Sequence, residues 1–189
     1  VKKSNPMKKT TTSRRKFIQQ SALAAAGTYF GTMAFSAKSY GRILGANDRV
    51  RVGVVGYSDR FKDALLPGFL ANSKELNFDI VAVSDLWSYR RGLGVAKLTE
   101  KLNHEIKACK NNDELYATKD LDAVIISTAD FQHALHTIEA VNAGCDVYCE
   151  KPFAETMSDN RAALKAVKNS KQIVQVGSQR RSGKNYIAA

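Results

Sequence analysis

The fold is decided by residues 51–61, which read RVGVVGYSDRF. An apolar strand ends here at a glycine, and the helix expected after it would present unpaired backbone N–H groups to a phosphate. Against the dinucleotide-binding pattern G-x-G-x-x-G only Gly56 matches, because Ser58 and Phe61 occupy the second and third glycine positions. Ser58 could still bond a phosphate through its hydroxyl, whereas Phe61 must change how closely helix and strand pack. Taken alone, the segment fits an ordinary strand-to-helix turn equally well.

The chain alternates short β-branched runs with helix-like stretches from Asp48 onward. Such alternation is typical of a parallel sheet covered by helices on both faces. Strands are predicted at Val50–Val55, Asp79–Val83, Glu105–Cys109, Ala123–Ser127, Asp146–Cys149 and Ile173–Val176. Helices are predicted at Lys62–Leu70, Tyr89–Leu102, Phe131–Ala143 and Ser158–Lys168. Right-handed crossovers then predict an α/β doubly wound parallel sheet, the Rossmann fold, with ligands at the carboxyl ends of the strands.

The second predicted strand leads to Asp85, an acidic residue 29 positions beyond Gly56. A carboxylate at this strand tip can accept both hydroxyls of a ribose and would repel a 2′-phosphate, so NAD is favoured over NADP. Arg90 and Arg91 keep NADP open, because a nearby guanidinium could pair with that phosphate. The alternative is that Asp85 only caps the helix that follows.

The formal net charge of +11 is concentrated at the amino terminus. Residues 1–47 hold nine Lys and Arg and no acidic residue, which leaves 20 basic and 18 acidic residues in the remainder. The domain that follows is therefore near neutral, and its only tight basic pairs are Arg90-Arg91 and Arg180-Arg181. A nucleic-acid partner is not expected, because phosphate recognition needs basic residues clustered on the folded domain.

Residues 1–37 have the order of segments that is typical of an export signal. Residues 38–47 are expected to form a linker, and residues 48–189 are expected to form the folded domain. A basic segment ends in SRRKFI at residues 13–18, and the stretch at residues 21–37 is alanine-rich and uncharged. This resembles the twin-arginine signal S-R-R-x-F-L-K. The resemblance implies a periplasmic or otherwise exported protein that meets the twin-arginine translocase. That route is known for folded proteins, often loaded with a cofactor.

Three later segments carry a more specific pattern. They are DAVIISTADFQHA at residues 122–134, AGCDVYCEKP at residues 143–152 and QVGSQRR at residues 175–181. Together they resemble the glucose-fructose oxidoreductase/inositol dehydrogenase (Gfo/Idh/MocA) family, over about Asp48 to Ser182. The resemblance implies an NAD(P)-dependent oxidoreductase acting on a sugar, cyclitol or related polyol. One departure is Ala129, which stands where the family usually has proline.

The resemblance also implies a set of cofactor-binding residues. The pyrophosphate is expected to contact Gly56 and Ser58, and the adenosine ribose is expected to contact Asp85. The nicotinamide side is expected to be lined by Ser127, Thr128 and Asp130, and the nicotinamide ribose and substrate are expected to face Glu150 and Lys151. From the last strand, the cofactor is expected to meet Gln179 and Arg180. Pro152 would shape its turn through a cis bond. His133 is expected to pack rather than react, because it opens a helix.

Lys151 is the residue expected to carry the chemistry. In a cleft beside the nicotinamide, a partly desolvated ammonium can hold the reacting hydroxyl and ease its proton loss while hydride leaves the carbon. The alternative is a lysine that pairs with Glu150 for structure alone.

Three functions remain open at this point. The leading one is the dehydrogenase; the others are an NAD-dependent glycoside hydrolase of the same family and a non-catalytic nucleotide-binding module. Family members continue into a second, α+β domain that covers the substrate, so the chain is expected to be a fragment or a truncated product that is incomplete as an enzyme. The full-length protein is expected to be a homo-oligomer that acts on a small carbohydrate-like substrate.

The cysteines and histidines predict neither a disulfide nor a metal site. Cys145 and Cys149 lie four apart on an apparent strand, about 13 Å along the chain, which is too far for a disulfide. With Cys109 the count is odd, so three free thiols are expected. His133 and His136 share a helix face only approximately and have no evident third ligand.

Overall fold

The computed structural model describes residues 49–179, and within them the chain forms one sheet with helices on both faces. The strands are β1 (Val50–Val55), β2 (Phe78–Ser84), β3 (Lys107–Cys109), β4 (Ala123–Ile126), β5 (Asp146–Cys149) and β6 (Val174–Val176). The α-helices are α1 (Leu66–Asn72), α2 (Ser88–Leu102), α3 (Asn112–Tyr116), α4 (His133–Asn142) and α5 (Met157–Asn169). All the strands predicted from the sequence are present, with ends that differ by at most two residues.

The sheet is parallel throughout, and its strand order is β3-β2-β1-β4-β5-β6. β1 lies in the centre, paired with β2 on one side and with β4 on the other. The chain builds outward from β1 to β3, then returns to β4 and builds outward in the other direction. This is the doubly wound Rossmann order, so the predicted fold is confirmed. The ligand crevice of such a sheet lies where the order reverses, at the carboxyl ends of β1 and β4.

Apolar side chains fill both faces of the sheet. On one face Val54 and Ile80 are fully buried in a cluster with Phe61, which lies on the helix that follows β1. On the other face Ile126 packs in a second cluster with Leu115. Because helices cover both faces, the central strands read as nearly continuous apolar runs rather than as an alternation of apolar and polar residues.

The helix after β1 differs from the single α-helix predicted at Lys62–Leu70. It runs over residues 59–72, and its Phe61–Leu65 portion is π-helical. The Phe61 ring is fully buried, with its centroid 5.7 Å from that of Tyr57. A phenyl ring thus occupies the position where the dinucleotide pattern has a glycine, and the helix is wound more widely from that point.

The short helix α3 has no counterpart in the sequence prediction. Asn111 caps it by accepting a hydrogen bond from Glu114 N–H at 2.9 Å, and Leu115 is its buried residue. A helix of 5 residues with one buried side chain shows no helical repeat of apolar residues. Asparagine followed three residues later by glutamate is the signal that could have found it.

Within residues 49–179, no helix has the length and apolar character needed to cross a membrane.

Candidate functional site

A cleft with two chambers lies at the carboxyl ends of β1, β2 and β4. The larger chamber has a volume of about 640 Å³ and the smaller about 210 Å³. They adjoin, because Ser58, Ser127 and Thr128 line both. The larger chamber is also lined by Gly56, Asp85, Trp87, Arg90, His136 and Glu139. The smaller is also lined by Arg60, Asp130, His133, Glu150, Lys151 and Gln179. Nine of the ten residues predicted to bind a cofactor therefore border this cleft, and the tenth, Arg180, falls outside the described residues.

The turn after β1 is held close to the loop after β4. Gly56 has a φ of +84°, a conformation that other residues rarely adopt. Its amide donates to Ser84 O at 2.8 Å, and its carbonyl accepts from the Ser127 hydroxyl at 2.8 Å. A Cβ at this position would lie 2.6 Å from Cγ2 of Thr128. The turn therefore needs glycine both for its backbone conformation and for space.

Ser58 begins the helix that follows this turn. Its carbonyl accepts the first helical bond, from Lys62 N–H at 3.0 Å, and its Oγ accepts from Phe61 N–H at 3.1 Å. The side chain thus caps the helix and keeps its hydroxyl proton for an acceptor in the cleft. Because the first amides of a helix lack helical partners, this turn offers N–H donors to an anion.

Asp85 joins the loops that follow β1 and β2. Its Oδ2 accepts from Tyr57 N–H at 3.0 Å, and its Oδ1 accepts from Trp87 N–H at 2.9 Å. The second bond is an i→i+2 contact with Trp87, the residue that precedes α2, and no side chain caps this helix, so the structure does not bear out the alternative of a capping role for Asp85. Each carboxylate oxygen has a further lone pair, so these two bonds leave Asp85 able to accept from the hydroxyls of a ribose.

Both arginines that could pair with the 2′-phosphate of NADP donate hydrogen bonds to other groups. Arg90 donates to the two carboxylate oxygens of Asp59, at 3.0 and 3.1 Å. Hydrogen bonds from Arg90 and Lys62 lower the pKa of Asp59 to about 2. Arg91 donates to the backbone carbonyl of Asp85 at 2.6 Å. An ionised carboxylate therefore stands beside the glycine turn, with its charge matched by two cations.

Glu150 is a buried carboxylate on the smaller chamber. Its side chain is 3% exposed and pairs with the guanidinium of Arg60 at 2.8 Å. The Tyr148 hydroxyl donates to the same carboxylate at 3.3 Å, and Lys151 N–H donates at 3.2 Å. These partners are needed, because an unpaired charge away from water is costly. Burial and the Glu150 charge together raise the pKa of Tyr148.

Arg60 is a site residue that the sequence did not predict. It lies on the helix after the glycine turn, 90 residues from Glu150 along the chain. Its Nε is buried and has no hydrogen-bond partner among the described residues. No motif spacing links the two positions, and only the meeting of the loops after β1 and β5 brings them together.

Lys151 is exposed, and it borders the smaller chamber. Its ammonium forms no ion pair with any residue in the range 49–179, and the Glu150 carboxylate pairs with Arg60 instead. The alternative of a structural pair between Glu150 and Lys151 is therefore wrong. The bond between Lys151 and Pro152 is cis, as expected.

His133 fixes the loop that carries Thr128. Its Nδ1 lies 2.7 Å from Pro152 O and its Nε2 lies 3.1 Å from Thr128 O. The residue is 1% exposed, which confirms the packing role expected for it. Asp130–Gln132 forms a 3₁₀ turn before α4, and Ala129 has a φ of −68°, the value that the family proline would impose.

The cysteines lie in the core. Cys109, Cys145 and Cys149 are free and buried, which confirms the three unpaired thiols. Burial raises the pKa of each, that of Cys149 to about 11, so the thiols stay protonated at neutral pH. Within the part of the chain that the structure describes, no cluster of three or more His, Cys, Asp or Glu side chains is placed to hold a metal ion.

Comparison with known proteins identifies the family of this chain. Residues 50–178 match the Gfo/Idh/MocA model, described as an oxidoreductase family with an NAD-binding Rossmann fold. The chain belongs to this family. Its doubly wound sheet is therefore the family's NAD-binding domain, as the three sequence segments implied.

Individual relatives agree with this placement. Inositol 2-dehydrogenase of Salmonella paratyphi B is 34% identical over 141 residues, which is 73% of this chain and 39% of that protein. The crystal structure of myo-inositol 2-dehydrogenase from Lactobacillus plantarum matches with a TM-score of 0.61 at 24% identity, covering 74% of this chain and 39% of that one. The WlbA dehydrogenase of Bordetella pertussis, in complex with NADH and UDP-GlcNAcA, matches with a TM-score of 0.65 at 21% identity, covering 74% and 39%.

The two structural matches show the shared fold, and the sequence matches show the family. The chain spans about two fifths of the length of the curated relatives it matches.

The residues of the cleft fit the family's cofactor. The bare turn at Gly56 and the first amides of the helix suit a pyrophosphate, and Asp85 suits the hydroxyls of a ribose. The larger chamber, at about 640 Å³, falls within the usual size of ligand pockets. Asp59 does not exclude a pyrophosphate, because Arg90 and Lys62 compensate its charge.

Proposed function

We propose that the chain is the nucleotide-binding part of an NAD-dependent dehydrogenase that moves hydride between the cofactor and a sugar, cyclitol or related polyol. The observation that carries this proposal is the Lys151 ammonium, unpaired among the described residues, on a small chamber that adjoins a nucleotide-sized one. The substrate class is supported by the names of the relatives, among them the inositol 2-dehydrogenases of Salmonella paratyphi B and Agrobacterium fabrum.

In this proposal the larger chamber takes the adenosine half of NAD and the smaller one its nicotinamide. The proposed cofactor contacts are Gly56, Ser58, Asp85, Ser127, Thr128, Asp130, Glu150, Lys151 and Gln179, with Arg180 still a prediction from the sequence. When bound, NAD would supply a ring carbon that accepts hydride. The protein's part is to orient the two reactants and to control the proton.

Lys151 would act on the oxygen of the reacting alcohol. Its ammonium can donate a hydrogen bond to that oxygen and stabilise the negative charge that develops as hydride leaves the neighbouring carbon. Because Arg60 neutralises Glu150, the ammonium is not drawn into an ion pair with the adjacent carboxylate. The arrangement therefore leaves one cation available for substrate.

The catalytic claim is tested with the intact protein, NAD and a panel of cyclitols, sugars and polyols, by following the absorbance of NADH. Lys151→Met should lower kcat by about a hundredfold or more while changing KM little. Lys165→Met is the matched control, because Lys165 is also exposed but lies on α5 away from the cleft, and it should leave turnover unchanged. Equal turnover by the two variants would contradict the role of Lys151.

The same experiment separates the other functions. A dehydrogenase accumulates NADH in proportion to oxidised substrate, whereas an NAD-dependent glycoside hydrolase would release sugar from a glycoside without net NADH. A non-catalytic module would bind NAD and do neither. Calorimetric titration of the chain with NAD tests the nucleotide site by itself, and Asp85→Ala should weaken that binding.

We also propose that the protein is exported by the twin-arginine translocase to the periplasm or beyond. The support is the SRRKFI segment at residues 13–18 and the uncharged stretch that follows it, both outside the described residues. Replacing Arg14 and Arg15 by lysine together should leave the protein in the cytoplasmic fraction of expressing cells. Export that is unaffected by the double replacement would contradict the route.

A further inference from the structure

Arg90 is held at the rim of the larger chamber by a carboxylate from the glycine turn. Its two terminal nitrogens donate to Asp59 at 3.0 and 3.1 Å, and Nη1 also donates to Tyr57 O at 3.3 Å. Its Cζ lies 5.9 Å from the centre of the Trp87 ring, which borders the same chamber. These contacts fix the guanidinium in one orientation, with its fork turned toward Asp59.

This orientation matters because Asp85 borders the same chamber. In the proposed site Asp85 receives the adenosine ribose, so a guanidinium nearby is the group that would pair with a 2′-phosphate. The hydrogen bond to Asp59 and, to a lesser extent, the charge of Asp85 raise the pKa of Arg90, so both carboxylates act on one guanidinium. A fork that is bidentate on a carboxylate cannot at the same time pair bidentately with a phosphate.

Arg91 does not take its place. It donates to the backbone carbonyl of Asp85 at 2.6 Å, which ties it to the strand tip. Among the described residues that line the larger chamber, Arg90 is the only lysine or arginine. The state of this one side chain therefore decides whether the chamber offers a cation to a phosphate.

We propose that Asp59 sets the cofactor preference: by holding Arg90 it denies a 2′-phosphate its cation and keeps the site selective for NAD over NADP. The inference rests on the nucleotide site proposed above. It goes further by assigning selectivity to a residue of the glycine turn as well as to the acidic strand tip.

The test is calorimetric titration of the full chain with NAD and with NADP, in wild type and in Asp59→Asn. Asparagine keeps the shape of aspartate but loses the charge, so Arg90 becomes free to meet a phosphate. NADP binding should strengthen relative to NAD binding by about tenfold, the effect expected for one charge-assisted pair. The measured quantity is the ratio of the two Kd values, in buffers of equal ionic strength.

Two controls separate this effect from a general change in charge. Asp63→Asn removes a carboxylate from the same helix that is equally exposed, at 66% against 64% for Asp59, and that contacts Lys62 at 3.5 Å rather than Arg90. It should strengthen or weaken both cofactors alike and leave the ratio unchanged. Adding Arg90→Gln to Asp59→Asn should return the ratio to the wild-type value.

The outcomes are distinct. A gain in NADP that appears in Asp59→Asn, is absent from Asp63→Asn and disappears with Arg90→Gln supports the inference. A wild type that binds NAD, with a ratio that Asp59→Asn does not change, overturns the inference and leaves the nucleotide site standing. A wild type that binds neither cofactor overturns both.

Discussion

The glycine turn and the Glu-Lys-Pro segment face each other across the cleft, and they keep the family pattern in different ways. The turn retains only Gly56 of the three patterned glycines, whereas residues 150–152 match all three positions of the expected Glu-Lys-Pro motif. In the turn the essential property is a backbone conformation, with φ at +84°, and the other two positions accept side chains that cap and pack. In the second segment the proposed property is chemical, since the proposed function uses the Glu150 carboxylate and the Lys151 ammonium. Within the turn, the position whose backbone conformation requires glycine is the one retained, and the two positions without that requirement hold other residues.

Local structure accommodates the two residues of the turn that depart from the glycine pattern. Ser58 caps the helix with its hydroxyl, which a glycine at this position could not do. Phe61 is fully buried where the helix becomes π-helical. Replacing the one retained glycine should therefore lower the free energy of unfolding far more than replacing Ser58 by the patterned glycine.

The largest effect is expected from Gly56→Ala. Alanine at a φ of +84° is strained, and its Cβ would lie 2.6 Å from Cγ2 of Thr128. The free energy of unfolding should fall by about 3 kcal/mol, measured by urea denaturation. Gly68→Ala is the control, because nothing lies within 4 Å of its added Cβ, and it should be neutral or stabilising by up to about 1 kcal/mol. Equal losses in the two variants would contradict the account of the turn.

The next effect concerns the contact between the two regions. Arg60→Met leaves Glu150, 3% exposed, without its cation, and should lower the free energy of unfolding by about 2 kcal/mol. Adding Glu150→Gln should recover about 1 kcal/mol, because a neutral amide is less costly to bury than an unpaired carboxylate.

Arg49→Met is the control for this pair. Arg49 also lies 3.0 Å from a carboxylate, that of Asp79, but its side chain is 49% exposed. Its loss should therefore change stability by no more than about 0.5 kcal/mol. A double variant at Arg60 and Glu150 with no recovery would mean that Arg60 stabilises by packing alone.

A smaller effect is expected at Ser58. Ser58→Ala removes the acceptor for Phe61 N–H and should cost about 1 kcal/mol in urea denaturation. Ser58→Gly restores the patterned residue and should cost only about 0.3 kcal/mol, since glycine is tolerated at a helix start. Alanine and glycine of equal cost would show that the hydroxyl does not cap the helix.

The smallest effect is a slope with pH. Burial lowers the pKa of His136, whose Nδ1 lies 3.2 Å from Oγ1 of Thr128. The unfolded chain therefore takes up this proton at higher pH than the folded one, so stability is full above the ordinary histidine value of 6.5 and declines as the pH falls below it. His136→Gln should flatten the decline in urea midpoints between neutral and mildly acidic buffer. The same slope in both proteins would remove His136 as its cause.

The sequence was sufficient to predict the fold and nine of the residues that line the cleft. Apolar strand runs and the quoted segments place Gly56, Asp85 and Glu150 at the ends of strands, and parallel strands bring such ends to one edge. What it could not supply were pairs between loops that are distant in the chain, such as Arg60 with Glu150, 90 residues apart, or Asp59 with Arg90, 31 apart. Such pairs depend on side-chain reach between loops, which no local periodicity encodes.

Amide NMR of the labelled chain during titration with NAD shows whether the cofactor binds in the cleft at the carboxyl edge of the sheet. Binding in the cleft should produce saturable shifts at Gly56, Asp85, Ser127 and Lys151, and none at Gly68, which lies on a separate apolar groove. Shifts confined to that groove, or spread evenly over the domain, would contradict it.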